Sequence, residues 1–94
     1  MLTHIVLFKL RDRSPESVGK ARDVILGMRG KIPELRHLEV GVDVLHAQRS
    51  FDLGLLAKFD TLDDMLSYQK HPEHQKVSAY MSSVREASVS LDYE

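Results

Sequence analysis

Residues 3–10, Thr-His-Ile-Val-Leu-Phe-Lys-Leu, are rich in β-branched and aromatic side chains and are apolar on both faces of an extended strand. His4, Val6 and Phe8 fall on one face, Ile5 and Leu7 on the other. A strand buried on both sides needs two covering layers, so the rest of the chain must supply them. The apolar run is too short for a membrane span and no small-residue cleavage site follows it. It reads as a strand of a cytoplasmic protein.

A helix-start signal comes next: Ser14 as N-cap, Pro15 at the first helical position and Glu16 at the positive end of the dipole. Val18, Ala21, Ile25 and Met28 recur at helical spacing, and Gly30 with Pro33 closes a helix of about 15 residues. From Leu38 the period switches to two. Leu38, Val40, Val42 and Val44 alternate with polar or small residues, and after a polar loop Phe51, Leu53, Leu55, Ala57 and Phe59 alternate again, which predicts a hairpin. Thr61 caps a second helix with Asp64 at the capping-box position; that helix meets Pro72 and restarts through Val77, Tyr80 and Met81. Val89, Leu91 and Tyr93 then alternate with Ser88, Ser90 and Asp92 in a last strand beginning at Ala87.

The order is β-α-β-β-α-β, which predicts an α+β, ferredoxin-like fold: a four-stranded antiparallel sheet with both helices on one face. The other face would carry Ile5, Leu7, Leu45, Leu56, Val89, Leu91 and Tyr93. So large an apolar surface on a small domain is a partner site, and it predicts a homodimer packed sheet to sheet as a dimeric α/β barrel. With 94 residues there is room for one domain spanning 1–94, and a chain of that size profits from a partner subunit.

His4 to Leu10, Ile32-Pro33, Val40-Gly41, Phe51-Asp52, Phe59, the stretch Tyr68-Gln69-Lys70-His71-Pro72-Glu73-His74 and the closing Asp92-Tyr93 together resemble the stress-responsive dimeric α/β barrel family over essentially the whole chain. The sharpest piece is Tyr-x-x-His-Pro-x-His. The resemblance implies a ferredoxin-like protomer, a dimeric barrel and a cavity between sheet and helices. Members include plant stress proteins, uncharacterised bacterial proteins and a polyketide cyclase. By resemblance to the cyclase, Tyr68 and His74 match catalytic positions, with the histidine as base and the tyrosine polarising a substrate carbonyl; His4 matches a pocket position. The cyclase lines its pocket with large aromatics where this chain holds Ala21, Ile25, Ser88 and Ser90, which implies a differently shaped, more polar pocket.

His71 and His74 stand three apart, on one face if Pro72 starts a helical turn. They could serve acid/base chemistry, form part of a metal site, or cap the new helix. No further ligand stands at fitting local spacing, so no metal is expected. Asp92 has the parity to meet His4 across neighbouring strands, as a catalytic pair or as a satisfied core pair. Tyr68, His74 and His4 are the expected catalytic residues, and Asp92, Ser88, Ser90, Ile25, Leu38, Leu55 and Val77 the expected substrate-binding lining around them.

Composition narrows the alternatives. The chain has no cysteine, which removes thiolate catalysis and Cys-ligated metal centres. It also lacks Trp and Asn, which some cofactor-independent monooxygenases of this barrel class employ. No phosphate-cradling glycine motif and no G-x-S-x-G is present, and nothing specific supports a haem site, so no cofactor is expected. The net charge of -1, with Lys and Arg interleaved among acids, argues against nucleic acid or an anionic membrane as partner. The expected function is binding of a small, partly apolar organic molecule, with cyclase- or lyase-like acid/base chemistry on a carbonyl compound. The alternative is a non-catalytic stress-related or structural protein. A cavity of about 300 Å³ or more beside Tyr68 and His74 favours the first, and a filled interior the second.

Overall fold

In the computed structural model, which describes residues 1–94, the strands are β1 (Leu2–Leu10), β2 (His37–Val42), β3 (Leu53–Phe59) and β4 (Arg85–Tyr93). The helices are α1 (Pro15–Leu26), α2 (Leu62–Lys70) and α3 (Pro72–Val84). All strand pairings are antiparallel, in the order β2-β3-β1-β4. The doubly apolar β1 is central, as its composition requires, and the ferredoxin-like plan holds.

The caps read from the sequence set the helices. Ser14 accepts the Ser17 N–H at 3.2 Å with Pro15 beginning α1, and Thr61 accepts the Asp64 N–H at 3.1 Å. One helix boundary differs from expectation. Helix α1 has 12 residues and ends at a Gly27 cap, because the chain turns there; Gly30, at φ 75°, serves the following turn and Met28 is buried from outside the helix. The break expected at Pro72 divides the second helical region into α2 and α3, because the residue before a proline is driven out of the α region: His71 sits at φ -66°, ψ 139° between them.

Alternation decides the sheet faces. On β3, Leu53, Leu55, Ala57 and Phe59 are all buried against the helices, joined by Leu2, Phe8 and Leu10 of β1, Val18, Ala21 and Ile25 of α1, and Met65 and Tyr68 of α2. On the opposite face the register aligns Leu56, Ile5 and Leu91 in one row and Gly54, Leu7 and Val89 in the next. Leu7, Val89, Leu91 and Tyr93 are exposed in the isolated protomer. Leu45 is not part of this face: β2 ends at Val42, and Val44 and Leu45 lie in the exposed loop that follows.

Asp52, at the entry to β3, is a buried carboxylate with every partner in place. Its Oδ2 accepts the Leu10 N–H at 2.8 Å, its Oδ1 accepts Arg13 Nε–H at 2.9 Å, and its own N–H donates to the Phe8 carbonyl. Removing the carboxylate strands the N–H of Leu10, which is itself almost fully buried. Asp52→Ala is expected to cost about 3 kcal/mol, read as a lower urea midpoint at unchanged m-value. A change within about 0.5 kcal/mol would refute this account of the β1–β3 clamp.

Candidate functional site

The break at His71-Pro72 builds the site. His71 Nδ1 accepts the Glu73 N–H at 3.1 Å, so this imidazole caps α3. His74, three residues further on in the first turn, does something else: its Nδ1 lies 3.1 Å from the Gln69 carbonyl oxygen. A carbonyl only accepts, so Nδ1 carries the hydrogen and the bare Nε2 is left as the basic nitrogen of the neutral ring. The ring is half-buried, and desolvation, assisted by the neighbouring His4 and opposed by the Gln69 bond, holds its pKa below the ordinary 6.5.

Tyr68 lies under it, 1% exposed, with ring centroids 4.5 Å from His74, 4.8 Å from Phe59 and 6.4 Å from His4. Burial raises the phenol far above its usual value, so the hydroxyl stays protonated and has its hydrogen free to donate. The hydroxyl has no hydrogen-bond partner in the protein, and Tyr68 lines the cavity. Behind it, the register sets His4 opposite Asp92, and His4 Nδ1–H donates to Asp92 Oδ1.

The cavity between α3 and the β1–β4 half of the sheet measures about 260 Å³ and opens to solvent along β4. It is smaller than the 300 Å³ set as the mark of a binding site, and it is not filled. His4, Tyr68, His74, Leu55, Val77, Ser88 and Ser90 all line it. Asp92 does not; it stands behind His4. Ile25 and Leu38 do not reach it either, since both are buried in the core, Ile25 on α1 and Leu38 on β2. Sequence reasoning missed Gln69, Ser78, Ser82 and Arg85, which also line it. Ser78 and Ser82 had a signal: with His74 they recur every fourth residue, one stripe of α3. No group of three or more His, Cys, Asp or Glu side chains is gathered to hold a metal ion. A larger groove of about 410 Å³ lies on the opposite sheet face, over Gly41 and Gly54, and holds neither histidine nor tyrosine.

Because the unfolded chain protonates His74 more readily than the folded one, the histidine's contribution to stability is complete above about pH 6.5 and declines as the pH falls below it. Urea titrations across that range are expected to show a shallower acid decline for His74→Gln than for the wild type. An identical decline would remove the desolvated imidazole from this description.

Fold and cavity together define a small ferredoxin-like α+β domain with a histidine–tyrosine pocket between sheet and helices. Residues 2–94 match the Stress responsive A/B Barrel Domain family, and the chain belongs to that family. A dimeric ferredoxin-like protein of unknown function from Bacteroides fragilis is 33% identical, with a TM-score of 0.84 over 99% of this chain and 94% of that one. A second dimeric ferredoxin-like protein of unknown function, from Thermobifida fusca, is 27% identical, with a TM-score of 0.86 over 98% and 88%. The hydroxynitrile lyase of Passiflora edulis shares the fold at 18% identity, with a TM-score of 0.84 over 98% and 90%. No helix is long and apolar enough to cross a membrane.

Proposed function

We propose that the chain binds a small, partly apolar carbonyl compound beside Tyr68 and His74 and performs cofactor-independent acid/base chemistry on it, of the kind a lyase or cyclase performs. The observation that carries this reading is the Tyr68–His74 pair: a neutral imidazole whose Nδ1 is tied to Gln69, in ring contact with a phenol that stays protonated. His74 Nε2 takes the proton from the acidic C–H or O–H of the substrate. The Tyr68 hydroxyl donates to the carbonyl oxygen as negative charge gathers on it. His4, oriented by Asp92, supports the far edge of the tyrosine ring. The lyase from Passiflora edulis supports this at the level of the fold alone.

We infer also that two copies pair through the open sheet face. The Bacteroides and Thermobifida relatives are dimeric, and the exposed patch of Leu7, Val89, Leu91 and Tyr93 is the surface a partner would cover.

Native mass spectrometry of protein taken from its own host tests the ligand reading. A retained small molecule bearing a carbonyl, converted on prolonged incubation with fresh enzyme, is the expected result. A protein that retains nothing and converts no aldehyde, ketone or thioester in a broad panel would overturn it.

A further inference from the structure

The start of β4 contains an irregularity that alters the chemistry of the cavity. Lys9 pairs with Ala87, but Leu10 pairs with Arg85, so Glu86 is an extra residue in the ladder. Strict alternation back from Ser88, which faces the cavity, would put Glu86 on the cavity side and Arg85 on the open face. The bulge reverses this: Arg85 stands opposite Leu10 and lines the cavity, and Glu86 is exposed and does not. A carboxylate is thereby replaced by a guanidinium at the mouth of the site.

The surroundings leave that cation uncommitted. Arg85 Nη1 donates to Ser88 Oγ at 3.2 Å, and the guanidinium makes no ion pair. No Asp or Glu lines the cavity, and Ser78, Ser82, Ser88 and Ser90 bring hydroxyls to its lining. A half-buried guanidinium with free donors, flanked by hydroxyls and facing no anion, matches the planar geometry of a carboxylate. Leu55, Val77 and Met81 line the same space with apolar surface.

We propose that the cavity selects oxo acids: Arg85 and Ser88 hold the carboxylate, the aliphatic body lies against Val77 and Met81, and the carbonyl reaches the Tyr68–His74 pair. The proposal rests on the reading of that pair as the carbonyl site. It makes Arg85 a specificity residue and leaves the proton transfer to His74.

The test is an NMR titration with 6-oxoheptanoate and its uncharged counterpart 6-oxoheptanamide, following the His74 and Tyr68 resonances. The wild type is expected to bind the carboxylate about tenfold or more tightly than the amide, with a preference that shrinks as salt is raised. Arg85→Gln should bring the carboxylate down to the amide's affinity without moving the amide, and Arg85→Lys should retain part of the preference, since a lysine supplies the charge without the fork. Melting curves on both variants confirm that the fold is intact. Equal affinities in the wild type, or a preference that survives Arg85→Gln, would overturn the oxo-acid assignment while leaving the carbonyl site standing. If neither compound disturbs His74 or Tyr68, the carbonyl site itself is refuted and the assignment falls with it.

Discussion

His74→Ala is expected to lower turnover of a carbonyl substrate by about a hundredfold or more, the usual loss when a positioned acid/base group is removed. The ordering among three variants is more telling than the single loss. Tyr68→Phe keeps the ring packed on Phe59 and His74 and removes only the hydroxyl, so catalysis should fall while the melting temperature holds. His71→Ala removes the acceptor for the Glu73 N–H, and is expected to cost about 1 kcal/mol of stability with little change in turnover. His74→Ala also frees the Gln69 carbonyl at the end of α2, so some loss of stability accompanies its larger loss of activity. A purely structural role for the Tyr68-to-His74 stretch differs in turnover: both histidine changes would destabilise, and neither would touch the rate. Steady-state rates with melting curves on the three proteins separate the two, and a His74→Ala enzyme of normal rate would exclude this histidine as the base.

Leu91→Lys is expected to abolish dimerisation. Leu91 is 59% exposed in the isolated protomer and stands in the row with Ile5 and Leu56 at the middle of the open sheet face. Pairing two such faces would bury a lysine ammonium without a counter-ion, which costs several kcal/mol per site, and a two-fold interface repeats the cost. Sedimentation velocity should report monomer or aggregate, and Leu56→Lys should behave alike. Leu45→Lys is the control: its side chain lies in the loop after β2, outside the rows of this face. A Leu91→Lys protein that remains a dimer of ordinary stability would show that the partner sits elsewhere.

The local chemistry of the chain alone determined much of this molecule. Period-two and helical spacing, the Ser14 and Thr61 caps and the break before Pro72 marked every element, and parity put His4 and Asp92 on one face of adjacent strands. These are properties of neighbouring residues, and they depend on bond geometry that any context preserves. Tertiary structure decided what parity cannot encode, which is depth along a face and the register between strands. Ile25, Leu38, Leu55 and Val77 all turn toward the layer between sheet and helices, yet only the last two reach the cavity, because α1 closes over one half of the sheet and leaves the β4 half open. His71 and His74 looked equivalent as candidate caps until the position of the Gln69 carbonyl separated them. The exchange of Glu86 for Arg85 at the cavity mouth depends on a bulge opposite β1, and a bulge belongs to a pair of strands: no single segment contains the partner that reveals it.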